Sequence, residues 1–277
     1  MKYASIPSLR RRPAVKLFLA FIAFAISATC LGAEPVRVLE RQGAIHGFLL
    51  LYDDHGKEIA VGDQTNQVHG NVIHARTIFH FRDGSIDDEE TIYRQGSTFE
   101  LLRDHHIQKG PAFAKPLDLT VDVRKNEVSW IDLSGKDAQP KSQHMKLPRD
   151  LANGMIPLLV QNFPQGAADL TAAMVVFALK PRLVTLDIKP DGSDKVLLGS
   201  SGRDAEKFDV HLKLQGVAGL VAPIIGKQPP DIGVWVVDGS EAPVPVFVKY
   251  VGPLCTNGPI WTVLLAAPTW PNPNENK

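Results

Sequence analysis

Short stretches of alternating and β-branched residues, each closed by a turn signal, constrain this chain more than any other feature. They run through Gly47–Tyr52, Asn71–Phe81, Glu89–Tyr93, Thr98–His106, Asp118–Asp122 and Glu127–Leu133. After a break they resume through Ala172–Ala178, Arg182–Lys189, Glu206–Leu214, Gly233–Val237, Val244–Tyr250 and Ile260–Ala266. Asp53-Asp54-His55-Gly56, Asp83-Gly84, Ser134-Gly135, Asp191-Gly192 and Asp238-Gly239 punctuate them. Many short strands joined by such turns predict a mainly β fold, an antiparallel open barrel or sandwich. Neither a βαβ rhythm nor an internal repeat interrupts the pattern.

One segment follows another period. Leu151, Met155, Leu158 and Leu159 recur at roughly three-to-four-residue spacing, which predicts a covering helix over about residues 150–162. Asp150 can cap its start and Pro164 marks its end, while Gly154 and Pro157 inside it predict a short, kinked helix. It would divide the chain into two β halves and pack across one of them. No long Pro/Ser/Gly-rich linker flanks it, so residues 34–272 are expected to form a single β-rich domain, followed by a disordered tail at 273–277.

The first 33 residues have the layout of a leader. Lys2, Arg10, Arg11, Arg12 and Lys16 give a basic start, Leu17–Ala28 carries no charge, and Gly32-Ala33 precedes Glu34-Pro35. Basic region, short apolar region and small-residue site in that order predict a cleaved secretory signal peptide and a periplasmic or secreted protein. A retained anchor would need about 20 apolar residues, and the uncharged stretch is at the short limit. Lipidation at Cys30 fits poorly because Thr29 and Ser27 do not suit a lipobox. Pro13 and Ala14 follow the arginine cluster where a twin-arginine signal prefers apolar residues.

Charge and cysteine content narrow the partners. Lys+Arg and Asp+Glu number 30 each, so bulk charge attracts neither nucleic acid nor an anionic membrane surface. The leader holds five of those cations, which leaves the mature chain mildly acidic. Cys30 leaves with the leader, so Cys255 stands alone and no internal disulfide is expected. A chain of about 240 residues can rely on its apolar core instead. With no histidine near it in sequence, Cys255 reads as a small buried hydrophobe.

Gly216–Gly226 joins two strands without a single polar side chain. Such a segment is either buried core or an apolar surface that meets a ligand or partner. Read the second way, Leu220, Val221, Ile224 and Ile225 line an apolar ligand cavity together with Leu151, Met155 and Leu158 of the helix.

Reactive constellations are sparse. Eight of the nine histidines precede residue 150. On a strand through Val72–Phe81, His74, His80 and Arg82 share one face, and Ile73, Ala75, Thr77, Phe79 and Phe81 the other. Spread over neighbouring strands, His74, His80, Asp104 and His106 could converge on zinc, as a hydrolase would need. Their spacing matches no H-E-x-x-H, H-x-H or cysteine-pair motif, so neither a metal nor another cofactor is expected. Polar residues alternating along a strand usually form its solvated face, and the acidic run Asp87-Asp88-Glu89-Glu90 reads as a charged turn and strand start. Gly199-Ser200-Ser201-Gly202 lacks the G-x-S-x-G of a nucleophile elbow and reads as a flexible turn. Aromatic residues make up 7% of the chain, lean for a sugar-stacking cleft. No catalytic residue is assigned.

Trp235-Val236-Val237-Asp238 followed by Pro243-Val244-Pro245-Val246 resembles a hairpin of periplasmic lipoprotein carriers of the LolA/LolB type, and of uncharacterised secreted bacterial domains that share their half-barrel. The likeness covers residues 205–266. Phe79–Ser85 and Asp104–Pro111 also resemble a secreted family of soil bacteria. The resemblance implies an incomplete antiparallel barrel around an apolar cavity, holding an acyl chain and having no catalytic residues. This chain is longer than such carriers and has fewer helices.

Together these readings predict an exported envelope protein, non-enzymatic rather than an enzyme, that binds an apolar small molecule or lipid, or an envelope protein partner. The alternative is a periplasmic metal-dependent hydrolase using His and Asp residues of the N-terminal half. No stable membrane span is expected once the leader is removed. Mass spectrometry of exported material is expected to show an N-terminus between Ala28 and Pro35; intact Met1 in the membrane fraction would contradict the cleaved leader.

Overall fold

The computed structural model describes residues 35–135, 138–198, 201–213, 230–237, 245–255 and 258–268. All of them belong to one compact unit. The leader, the apolar segment with Leu220, Val221, Ile224 and Ile225, the Asp238-Gly239 turn, most of the tetrad before Val246, Gly199-Ser200 and the tail lie outside the described residues.

Fourteen strands form one open antiparallel sheet. The first eight are β1 Ile45–Tyr52, β2 Glu58–His69, β3 Val72–Phe81, β4 Ile86–Gln95, β5 Phe99–Lys109, β6 Leu117–Asp122, β7 Glu127–Asp132 and β8 Pro140–His144. After a helix, α1 Ile156–Gln161, come β9 Leu170–Phe177, β10 Pro181–Leu198, β11 Ser201–Lys213, β12 Ile232–Val237, β13 Val246–Gly252 and β14 Trp261–Pro268. Each half is a meander of neighbours, and β1 pairs with β14 to join the two. The helix lies between the two β halves in chain order, and hydrogen bonds between the chain's first and last strands make one sheet of them.

Two strands were not legible. Glu58–His69 carries polar residues on both faces, yet β2 pairs along its whole length with β3 and along β1. Its inward Ala60, Gly62 and Asn66 are small or polar and leave no apolar signature. β8 is short and almost wholly exposed, as befits an edge strand carrying Pro140 and Lys141. Asp191-Gly192 is not a turn between strands. Gly192, at φ 84°, belongs to a bulge between Pro190 and Ser193 inside the long hairpin β10–β11. Beyond that bulge Val196 and Ala205 pack on Trp235, Val237 and Val248 as a second small core.

The sheet curls. Leu49 and Leu51 of β1, Ile73 and Phe79 of β3, Leu119 and Val121 of β6, Ile188 of β10, Val210 of β11, Val234 of β12 and Val263 of β14 share one hydrophobic core with residues of α1. Trp130 on β7 meets Phe177 on β9, with ring centroids 5.4 Å apart, so strands from opposite ends of the sheet touch through side chains. Phe81, Phe113 and Trp261 form a second ring cluster inside the curl, 5.3 to 6.0 Å between centroids.

The segment from Leu147 to Asn162 fills this curl, and only six of its residues are helical. Leu151 makes a short parallel bridge to β9: Ala152 N–H donates to Ala173 O and Ala173 N–H to Asp150 O. Asn153 continues that edge with its side chain, its Nδ2 donating to Val175 O and its Oδ1 accepting from Val175 N–H, both at 2.8 Å. Asp150 is therefore not the helix cap; Met155 is, without a side-chain hydrogen bond. Gly154 precedes the helix at φ 66°, a conformation few other residues adopt, and Pro157 lies in the first turn, where its missing N–H costs nothing. At the far end Asn162, fully buried, accepts from Leu39 and Glu40 N–H at 3.0 and 2.7 Å.

Candidate functional site

Beside this filling segment the inner face of the sheet turns polar. β4 and β5 pair with a register shift between Ile92 and Tyr93. On one side of it Tyr93, Phe99 and Leu101 are buried apolar contacts. On the other side the inward positions are Asp87, Glu89 and Thr91 on β4, facing Gln108, His106 and Asp104 on β5. The acidic run of β4 is thus split by the pleat. Asp88 and Glu90 turn outward, where Arg76 pairs with Asp88 at 2.7 Å and with Glu90 at 3.7 Å. Asp87 and Glu89 turn inward, which corrects the reading of the whole run as a charged turn.

His106 lies between those two carboxylates, its Nε2 3.1 Å from Asp87 Oδ1 and its Nδ1 3.8 Å from Glu89 Oε1. Gln108 Nε2 donates to Asp87 Oδ2 and to Leu254 O. Thr91 Oγ1 donates to Asp104 Oδ1 at 3.0 Å. Asp104 is 1% exposed, whereas the Glu89 and His106 side chains keep 30% and 19% of their surface open. Burial alone would lower the His106 pKa, but Asp87 and Glu89 more than offset it and raise it to about 10. Asp104 is raised to about 8, first by burial and then by the nearby Glu89 charge. Burial likewise raises Glu89. Around neutral pH the site therefore holds an imidazolium and a protonated carboxyl side by side.

Two further groups adjoin it. Tyr250 on β13 has its hydroxyl bonded to Pro253 O at 2.7 Å, and burial, with Glu89 and Asp87 behind it, raises its pKa. Burial and Asp87 push the Cys255 thiol up to about 11. A thiol held in that state is a poor nucleophile, in keeping with its reading as a buried small residue. The arrangement can hold and exchange protons, and it presents no activated nucleophile among the described residues.

Sequence-predicted residues fare differently. Leu151, Met155 and Leu158 are 3%, 1% and 8% exposed and belong to the main core. Leu220, Val221, Ile224 and Ile225 lie outside the described residues. His74 and His80 are on the outer face of β3, as the alternation predicts, but Asp104 and His106 face inward, so these four do not meet. Among the described residues no group of three or more His, Cys, Asp or Glu is arranged to hold a metal. Asp87, Glu89, Thr91, Gln108 and Tyr250 were missed, because acids on both faces of β4 hide which ones point inward.

No protein-family model matches the chain, and no curated protein does. Among solved structures it is similar to a β-barrel-like protein of a domain of unknown function, DUF1849, from Brucella abortus, at 8% identity. That alignment covers 87% of this chain and 100% of the other, with a TM-score of 0.43.

The raised pKa values of Asp104 and His106 set a pH dependence. Asp104 and His106 both have folded values above their ordinary 3.8 and 6.5, so the folded protein binds more protons than the unfolded chain. Their contribution is complete below those ordinary values and is lost as pH rises toward about 8 and about 10. Each extra proton bound gives a slope of about 1.4 kcal/mol per pH unit. Urea unfolding is expected to show lower stability at pH 9 than at pH 6, and Asp104→Asn is expected to shrink that difference; stability that is level or rises over this range would contradict the assignment.

Proposed function

We propose that this is an exported, non-enzymatic binding protein of the cell envelope whose curled sheet takes up an apolar ligand such as a lipid acyl chain. The observation that supports this most is the seam. The sheet is not closed by backbone pairing between its ends; Trp130 meets Phe177, and residues 150–153 sit along β9. Parting rings and a short bridge is far easier than opening a hydrogen-bonded barrel. Behind that seam Leu151, Met155 and Leu158 offer an apolar surface that a ligand would meet on entry. An envelope partner inserting an apolar segment would use the same entry.

The second reading is a metal-dependent hydrolase; His106, Asp87 and Glu89 are the inward groups it would draw on, although among the described residues no three are arranged to hold a metal. That group lacks an activated nucleophile, and His74 and His80 lie across the sheet from it.

Mature protein is expected to take up a fluorescent fatty acid, and Ile224→Asp to abolish uptake with an unchanged circular-dichroism spectrum. A wild type that binds no apolar probe would overturn the carrier reading. About one zinc per chain, lost in His106→Ala, would replace it with the hydrolase.

A further inference from the structure

We propose that Asp104 is a proton-controlled latch for the segment that fills the curl: while its carboxyl is protonated, residues 150–162 stay seated, and loss of that proton to solvent releases them.

The geometry is tight. A Cβ on Gly154 would lie 2.0 Å from Thr91 Oγ1 and 2.9 Å from Asp104 Oδ1, so the backbone of the Gly154 turn rests directly on this pair. Asp104 is buried, and its one side-chain hydrogen bond among the described residues comes from Thr91. No cation among the described residues lies within ion-pair distance of it. The nearest candidate, His106, is bonded to Asp87 and faces Glu89. On β5 the adjacent His105 pairs with Asp118 instead, at 2.9 Å. The groups that act on Asp104 are Glu89 on β4, which opposes its charge, and His106 and His105 on β5, which favour it; Asp87 lies against His106, and Tyr250 and Cys255 lie against Asp87. The inward neighbours on β3 and β6, Ala75 and Val121, carry no charge, and neither do Asn153, Gly154 and Met155 above.

A carboxylate formed there is a buried negative charge beside Glu89, with Thr91 as its side-chain donor and with His106 and His105, both engaged by other carboxylates, offsetting it only in part. Such a charge is costly unless it reaches solvent. Among the elements around it, the Gly154 turn is the one that can move without breaking the strand ladder, since it is tied to β9 by a short bridge and the Asn153 amide. This latch does not depend on the proposed ligand, and its test needs none.

Hydrogen exchange of the mature protein, corrected for the intrinsic pH dependence, reads it directly. Amides within Leu151–Asn162 are expected to lose roughly tenfold or more in protection between pH 6 and pH 9 relative to those of β3 and β4. Asp104→Asn is expected to keep them protected throughout. If that variant does not fold, the carboxyl carbon shift of Asp104 in the wild type must titrate with the same midpoint as the loss of protection. Protection that stays level in the wild type, an equal loss in Asp104→Asn, or a carboxyl that titrates like a free one would overturn the latch.

Discussion

Burial of the 147–162 segment inside the curled sheet is the interaction on which the rest depends. A sheet bent this far has a concave face that side chains, water or a ligand must fill. Here the chain's own residues do so: Leu147, Leu151, Met155, Leu158, Leu159 and Val160 join a core contributed by strands from both halves. The helix packs on β12 and β13. A helix of six residues has almost no stability of its own. Its position comes from packing and from two side-chain amides that stand in for backbone: Asn153 extends the β9 edge, and Asn162 holds the chain entering β1. Gln95 braces that same chain by pairing with both the N–H and the carbonyl of Gln42.

Because the interior is filled from one side by an apolar segment, the polar half of β4 and β5 becomes a defined site. Across the register shift at Ile92 the same two strands turn Tyr93, Phe99 and Leu101 on one side, and Asp87, Glu89, Asp104 and His106 on the other, to the inner face of the sheet. Burial and the Glu89 charge raise Asp104, and attraction to Asp87 and Glu89 raises His106, so the depth of the site favours extra protons on both.

Much of the fold was legible because alternation survives wherever one face is buried and the other wet. β3 shows this best: Ile73 and Phe79 go in, His74 and His80 stay out. The signal fails where both faces are polar, as in β2, or where the strand is an exposed edge, as in β8. The helical period of Leu151, Met155 and Leu158 pointed to a buried segment, but its first part is a bridge to Ala173 followed by a turn, and the helix begins only at Ile156. The candidate site was hidden for a related reason: Asp87 to Glu90 is acidic on both faces, and only the register with β3 and β5 separates them. Contacts such as that of Asn162 with Leu39, 123 positions away, leave no local trace.

The claim that this segment is structural core held by buried amides is tested most directly by the urea-unfolding free energy of Asn162→Ala. The substitution strips the acceptor from two backbone N–H groups and leaves a gap at a site with no solvent exposure. A loss of about 2 kcal/mol or more is predicted. Stability within about 0.5 kcal/mol of the wild type, the range of ordinary surface substitutions, would contradict it.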